Sequence, residues 1–201
     1  MKYVLCLTGA SGTIYGRRLA AALSGKGHRV HLVVSEGARR VLAYEEGISW
    51  QRTQGPGPLL DDFRDARLDL VQLHDCDFGS VLASGSVSWD AAAVLPCSMA
   101  TVGAVASGAG RTLVHRICDV ALKERRRLVL APRETPMSAI HLENLARLAA
   151  MGASVVPCMP AFYPRPRSVA DMIDFVVDRV AVQMGCALGL VPPWEGSGEP
   201  A

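Results

Sequence analysis

The apolar run Tyr3-Val4-Leu5-Cys6-Leu7 is broken at once by Thr8-Gly9-Ala10-Ser11-Gly12, and a second apolar run begins at Val30 and reaches Val34. A short run bounded by glycine reads as a buried strand. Between the two, Ile14, Leu19, Ala22 and Leu23 return at helical spacing, Arg17, Arg18 and Lys26 face water, and Gly25 and Gly27 end the segment. Strand, glycine turn, helix and strand make a βαβ unit, which commits the chain to parallel strands.

The alternation continues along the chain. A helical segment covers Glu36 to Tyr44, and Gly47 to Asp77 turns polar and rich in Gly, Pro and Asp, an irregular surface with one short helix. Val81-Leu82-Ala83 reads as a short third strand and Ala91 to Leu95 as a fourth, followed by a segment of small residues from Met99 to Ala109 that lets another backbone or a flat ligand approach. Thr112 to Arg126 is helical, Leu128 to Ala131 a strand, Ser138 to Met151 a helix, Ser154 to Pro157 a strand, and Ser168 to Met184 a helix. The pattern predicts an α/β fold: a three-layer, doubly wound sheet of Rossmann or flavodoxin type, mostly parallel. At 201 residues it fits a single domain, residues 1–194, with a C-terminal tail at 195–201.

Composition removes several function classes. A net charge of +2, with no basic block longer than Arg125-Arg126-Arg127, leaves no footprint for nucleic acid. No run approaches the roughly 18–20 apolar residues of a membrane span, and the apolar start is too short for a signal peptide. The six cysteines stand singly and mostly in apolar runs, as in a protein of the reducing cytoplasm. His28, His31, His115, Asp119 and His141 fall into no metal-ligand pattern, and neither a GxSxG elbow nor a CxxC pair occurs.

In a doubly wound sheet ligands sit beyond the C-terminal ends of the strands, and the unusual residues gather there: Gly9 to Gly12, Ser35, Ser84-Gly85-Ser86, Pro96-Cys97-Ser98, Arg133-Glu134 and Pro157-Cys158-Met159-Pro160. The glycine turn either offers amides and the Ser11 hydroxyl to a phosphate or simply caps its helix. It is neither GxGxxG nor a P-loop, which weakens dinucleotide and ATP readings. The hydroxyls of Ser84, Ser86 and Ser88 serve an anion or a solvated loop. Arg116 and Lys123, seven apart on one helix, project from one side and grip an anion or contact water, whereas Arg125, Arg126 and Arg127 serve the helix dipole and solubility. Arg133-Glu134 between Pro132 and Pro136 is either a phosphate fork with a proton acceptor or a surface ion pair. Phe162-Tyr163 sits in a proline-stiffened loop suited to a ligand or to a plain turn, and Arg179 flanks an apolar helix face, where it snorkels or enters a cleft.

Taken together, Thr8-Gly9-Ala10-Ser11-Gly12, Ala83-Ser84-Gly85-Ser86, Pro96-Cys97-Ser98, Asp119-Val120-Ala121-Leu122-Lys123-Glu124-Arg125-Arg126, Pro132-Arg133-Glu134-Thr135-Pro136, His141-Leu142-Glu143-Asn144 and Phe162-Tyr163 resemble the UbiX family of flavin prenyltransferases over about residues 3–194. The 47–82 region is the main departure. The resemblance implies a metal-independent homo-oligomer, a dodecamer, that binds reduced FMN and dimethylallyl monophosphate at a subunit interface. It joins the prenyl group to flavin N5 and C6 and makes prenylated FMN for a UbiD-type decarboxylase. Carried over by position, Gly9, Ala10 and Ser11 look like flavin contacts near the reacting edge, and Ser35, Ser98, Thr101, Arg116 and Arg133 resemble other FMN-binding positions. Lys123, Arg133, Glu134, Tyr163 and Arg179 resemble residues around the prenyl phosphate, with Glu45 and Trp194 close to the same pocket. Ser11, Glu45, Lys123, Glu134 and Trp194 are thereby candidate catalytic residues. Two other readings compete. A flavin-dependent cysteine decarboxylase carries an early catalytic histidine and an Asn after the fourth strand, both missing here. A non-catalytic flavin carrier or accessory subunit has no use for the Lys123, Arg133, Glu134, Tyr163 and Arg179 group.

Overall fold

The computed structural model describes residues 1–49, 70–194 and 196. Six strands form one all-parallel sheet in the order β3-β2-β1-β4-β5-β6. They are β1 (Lys2–Leu7), β2 (Arg29–Val34), β3 (Leu70–His74), β4 (Ala91–Cys97), β5 (Arg127–Pro132) and β6 (Ser154–Val155). The helices are α1 (Thr13–Gly25), α2 (Glu36–Glu46), α3 (Met99–Ser107), α4 (Leu113–Lys123), α5 (Ala139–Ala150) and α6 (Val169–Gln183). The doubly wound single domain expected from the alternation is therefore what forms.

Because β1 is buried on both faces, its residues divide by parity. Tyr3, Leu5 and Leu7 enter the cluster that also holds the apolar sides of α1, α2 and α6, while Val4 and Cys6 enter the cluster of α3, α4 and α5. This explains why the strand reads as a continuous apolar run. Parallel pairing of β1 with both β2 and β4 puts the reversal of strand order between β1 and β4, and a doubly wound sheet opens its ligand crevice there.

Three expectations are corrected. The third strand is Leu70–His74, inside the stretch read as irregular, where polar neighbours hid the Leu-Val-Gln-Leu alternation; the rest of that stretch, 50–69, lies outside the described residues, as do 195 and 197–201 of the tail. Val81–Ala83 is a 3-10 turn capped by Ser80, not a strand. The segment 83–87 that follows runs beside α4, so Ser84-Gly85-Ser86 precedes β4 and does not follow a strand. Arg17, expected to face water, is 2% exposed and ion-paired to Glu46. Helical periodicity could not foresee that pair, because Glu46 arrives from another helix.

Candidate active site at the switch point

The turns after β1 and β4 are tied together at the switch point. Thr8 Oγ1 donates to the Pro96 carbonyl at 2.8 Å and accepts from the Ser98 amide at 2.8 Å, so one buried hydroxyl fixes both turns. Sequence reading quoted Thr8 with the glycine turn but gave it no role of its own; its signal was a hydroxyl at the end of a buried strand. Beside it, the Gly9 and Gly37 backbones touch. A Cβ on Gly9 would stand 3.1 Å from Gly37 Cα, and one on Gly37 3.0 Å from Gly9 Cα, tighter than most side-chain contacts, so either backbone would have to give by a few tenths of an ångström. Two glycines thus let the first turn of α2 close on the rim.

Not every amide of the glycine turn is open to a ligand. Ala10 N donates to the Thr8 carbonyl at 2.8 Å, and Gly12 N donates to Glu45 Oε2 at 2.9 Å. That removes the phosphate-cradle reading for these two groups and leaves Ser11, half-buried, next in sequence to the amide that holds the Glu45 carboxylate. Glu45, adjacent to the individual 47–82 stretch, is in this way brought onto the turn.

Ser35 and Ser98 cap α2 and α3, accepting from Ala38 N and Thr101 N. Ser98 Oγ also lies 3.0 Å from Thr101 Oγ1. A hydroxyl that accepts a cap bond still owns its proton, so Ser35 and one member of the Ser98–Thr101 pair keep a donor for a carbonyl or phosphate oxygen, the other donating within the pair.

Arg133 and Glu134 follow β5 on the same rim, both half-buried. Arg133 Nε is buried without a hydrogen-bond partner among the described residues. A guanidinium donor withdrawn from water and left unpaired fits an anionic ligand. Cys158, whose amide donates to the Pro132 carbonyl at 2.9 Å, lies next to Arg133. Burial pushes its thiol up to about 12 although the Arg133 charge pulls the other way, so it remains a neutral thiol. Tyr15 of α1 borders the same spot, its hydroxyl raised by burial and by Cys158; the sequence reading did not single it out.

Tyr163 packs edge-on against Phe175, ring centroids 5.9 Å apart. Phe175 and Arg179, one helical turn apart on α6, border a hollow with Pro157 and Met159. On its other side Phe175 meets Ala161, Pro164 and the returning residues Leu190 to Pro192 around a cavity of about 280 Å³. Trp194 stands 69% exposed just past it.

Arg116 and Lys123 are elsewhere. Both line a concavity of about 730 Å³ between α3 and α4, with His115, Asp119 and the small residues Ala104 and Gly108. Arg116 Nε donates to the Ala83 carbonyl at 2.9 Å and its Nη1 pairs with Asp119 at 2.5 Å; Lys123 pairs with Glu124 at 2.8 Å and lowers that carboxyl. Lys123 precedes the start of β5 and Arg133 follows its end, which at 3.3 Å per residue separates them by about 20 Å. One chain alone therefore does not bring Lys123 to the Arg133 rim. Arg126, expected to serve only dipole and solubility, instead turns inward, donating to the Gly85 and Val87 carbonyls and stacking 4.5 Å from the Trp89 ring. Among the described residues no three His, Cys, Asp or Glu side chains converge as a metal site would require, and no helix is long and apolar enough to cross a membrane.

A doubly wound sheet with hydroxyls and touching glycines at its switch point, and a buried, unpartnered arginine Nε after the next strand, defines an α/β protein built to hold an anionic ligand beyond its strand ends. The flavoprotein family profile matches residues 1–181. The flavin prenyltransferase UbiX of Methanocaldococcus jannaschii is 42% identical over 194 residues, 96% of this chain and 98% of that protein. AnUbiX (PadA1), crystallised with FMN and dimethylallyl pyrophosphate, superposes with a TM-score of 0.85 at 35% identity, covering 97% of each chain. A dodecameric FMN-dependent UbiX-like decarboxylase from Escherichia coli O157:H7 superposes with a TM-score of 0.85 at 37% identity, covering 98% of this chain and all of that one. The chain belongs to the UbiX family of flavin prenyltransferases.

Proposed function

We propose that the chain joins the dimethylallyl group of dimethylallyl monophosphate to N5 and C6 of reduced FMN, and that the prenylated FMN serves a UbiD-type decarboxylase in the cytoplasm. The observation that carries this reading is the buried, unpartnered Nε of Arg133, on a rim where hydroxyls, a glycine turn and an aromatic loop meet.

Reduced FMN supplies an electron-rich ring and the N5 nucleophile. The protein's part concerns the leaving group, the cation and a proton. Heterolysis of the allylic C–O bond leaves the electron pair on phosphate, and Arg133, Arg179, Lys123 and Tyr163 hold that charge as it grows. Trp194 covers the allylic cation with an aromatic face. Bond formation at N5 displaces the N5 proton, and ring closure at C6 adds a proton to the prenyl double bond as the C6 proton leaves; Glu134 and the departed phosphate exchange these protons. Ser11 and Glu45 orient the reacting edge, and Gly9 and Ala10 admit the ring at close range. Ser35, Ser98, Thr101 and Arg116 hold the remainder of the flavin. Closure excludes water, which would otherwise trap the cation as an alcohol.

Since Lys123 stands about 20 Å of strand away from Arg133, it serves a neighbouring copy's rim together with Arg116 of the same concavity, and the working unit is a homo-oligomer, a dodecamer. Anaerobic incubation of the protein with reduced FMN and dimethylallyl monophosphate, followed by mass spectrometry of the released flavin, tests the function. A mass gain of one prenyl group is expected. Unchanged FMN would leave a flavin carrier, and loss of carbon dioxide from a cysteinyl substrate would indicate a decarboxylase.

A further inference from the structure

The residue next to Glu45 turns into the protein. Glu46 accepts from Thr13 Oγ1 at 2.5 Å and pairs with Arg17; their side chains are only 15% and 2% exposed respectively. Consecutive carboxylates therefore grip the N-cap and the first residue of α1, Glu45 taking Gly12 and Glu46 taking Thr13.

These carboxylates end α2, where the negative end of its dipole disfavours them, and face the positive N-terminus of α1, which has no acidic residue in its own first turn. Their placement does nothing for α2 itself. Gly12, the N-cap of α1, has a left-handed backbone at φ 97° and no side-chain cap, so α2 supplies what the turn lacks. An apolar pair of similar volume would join two helices as firmly as a buried Arg–Glu pair. What the ion pair and hydroxyl add is direction.

We infer that Glu46, held by Thr13 and Arg17, is a positioning residue of the proposed flavin site. It fixes the last turn of α2 against the first turn of α1, so that the Glu45 carboxylate stays on Gly12 beside Ser11. This rests on the reading of that turn as a flavin site.

The test is a double-mutant cycle read in two ways, FMN affinity by fluorescence quenching and turnover at saturating substrates. Glu46→Gln is expected to weaken FMN binding and lower turnover by about ten-fold or more in the native chain, but by less than about two-fold in a chain already carrying Glu45→Ala. Thr13→Val should follow the same pattern more mildly, and Thr13→Ser, which keeps the hydroxyl, should restore both. Arg17→Met with Glu46→Leu replaces the pair by apolar volume; it should recover the melting temperature without recovering turnover, and it carries the test should Glu46→Gln fail to fold. Full recovery of turnover in that double variant, or an undiminished Glu46→Gln effect without Glu45, would overturn the inference and leave the pair purely structural. A native chain that binds FMN yet transfers no prenyl group sinks the functional reading instead, while the affinity cycle still reports on Glu46.

Discussion

The carboxylate of Glu45 accepts a hydrogen bond from the Gly12 amide at 2.9 Å, joining the end of one helix to the glycine turn that starts another. Glu45 is otherwise exposed, so its removal should tell more on chemistry than on folding. Glu45→Ala is expected to lower prenyl transfer by about a hundred-fold while shifting stability by no more than about 1 kcal/mol. Steady-state turnover and a thermal melt on the same preparation check both halves.

Lys123→Ala and Arg179→Ala are expected to bind FMN and fail in transfer. With Lys123 a strand's length from Arg133, mixed oligomers give a sharper result. Co-assembling Lys123→Ala chains with Arg133→Ala chains should recover part of the activity that neither has alone, since some rims then receive both native cations. Absence of any recovery after verified mixing would place the two cations in separate functions.

Glu134→Gln keeps the side chain's size and removes its basicity. The second bond, at C6, should slow more than the first, and rapid-quench mass spectra and absorbance of the flavin follow the two steps separately. Equal slowing of both, or of neither, would take Glu134 out of the proton relay.

Gly37→Ala places a methyl 3.0 Å from Gly9 Cα, where backbone meets backbone and no side chain can swing aside. The turns must separate, and FMN affinity is expected to fall by at least about ten-fold. A calorimetric titration that finds native affinity would show the rim is looser than its geometry indicates.

Burial raises the thiols of Cys6 and Cys97 well above their ordinary range and those of Cys118 and Cys158 to about 12. Unfolded thiols ionise near pH 9 and the folded ones do not, so the unfolded state binds fewer protons above that point. Their contribution to stability is complete below pH 9 and is lost as pH climbs toward 12, by up to about 1.4 kcal/mol per pH unit per thiol. Melting temperatures should decline from pH 9 upward, and Cys118→Ala should reduce the slope.

Much of this protein is local information. The run from Tyr3 to Leu7, the break at Gly9 to Gly12 and the helical spacing after it specify a βαβ unit within a few turns of chain, and the parallel sheet follows from repeating it. The Leu70–His74 strand was less legible because its surroundings are polar, and Val81–Ala83 misled because three apolar residues fit a strand or a tight turn equally well. Hydroxyls and charges after the strands marked the rim by composition alone. Which of them meet was decided by packing: Thr8 locking two turns, Glu45 and Glu46 reaching back to Gly12 and Thr13, Arg126 turned onto Trp89, and Lys123 carried to the far end of the sheet from Arg133. Periodicity along one segment records which face is apolar, whereas partners tens of residues away are chosen by how helices and strands dock, a choice settled only when the whole core closes.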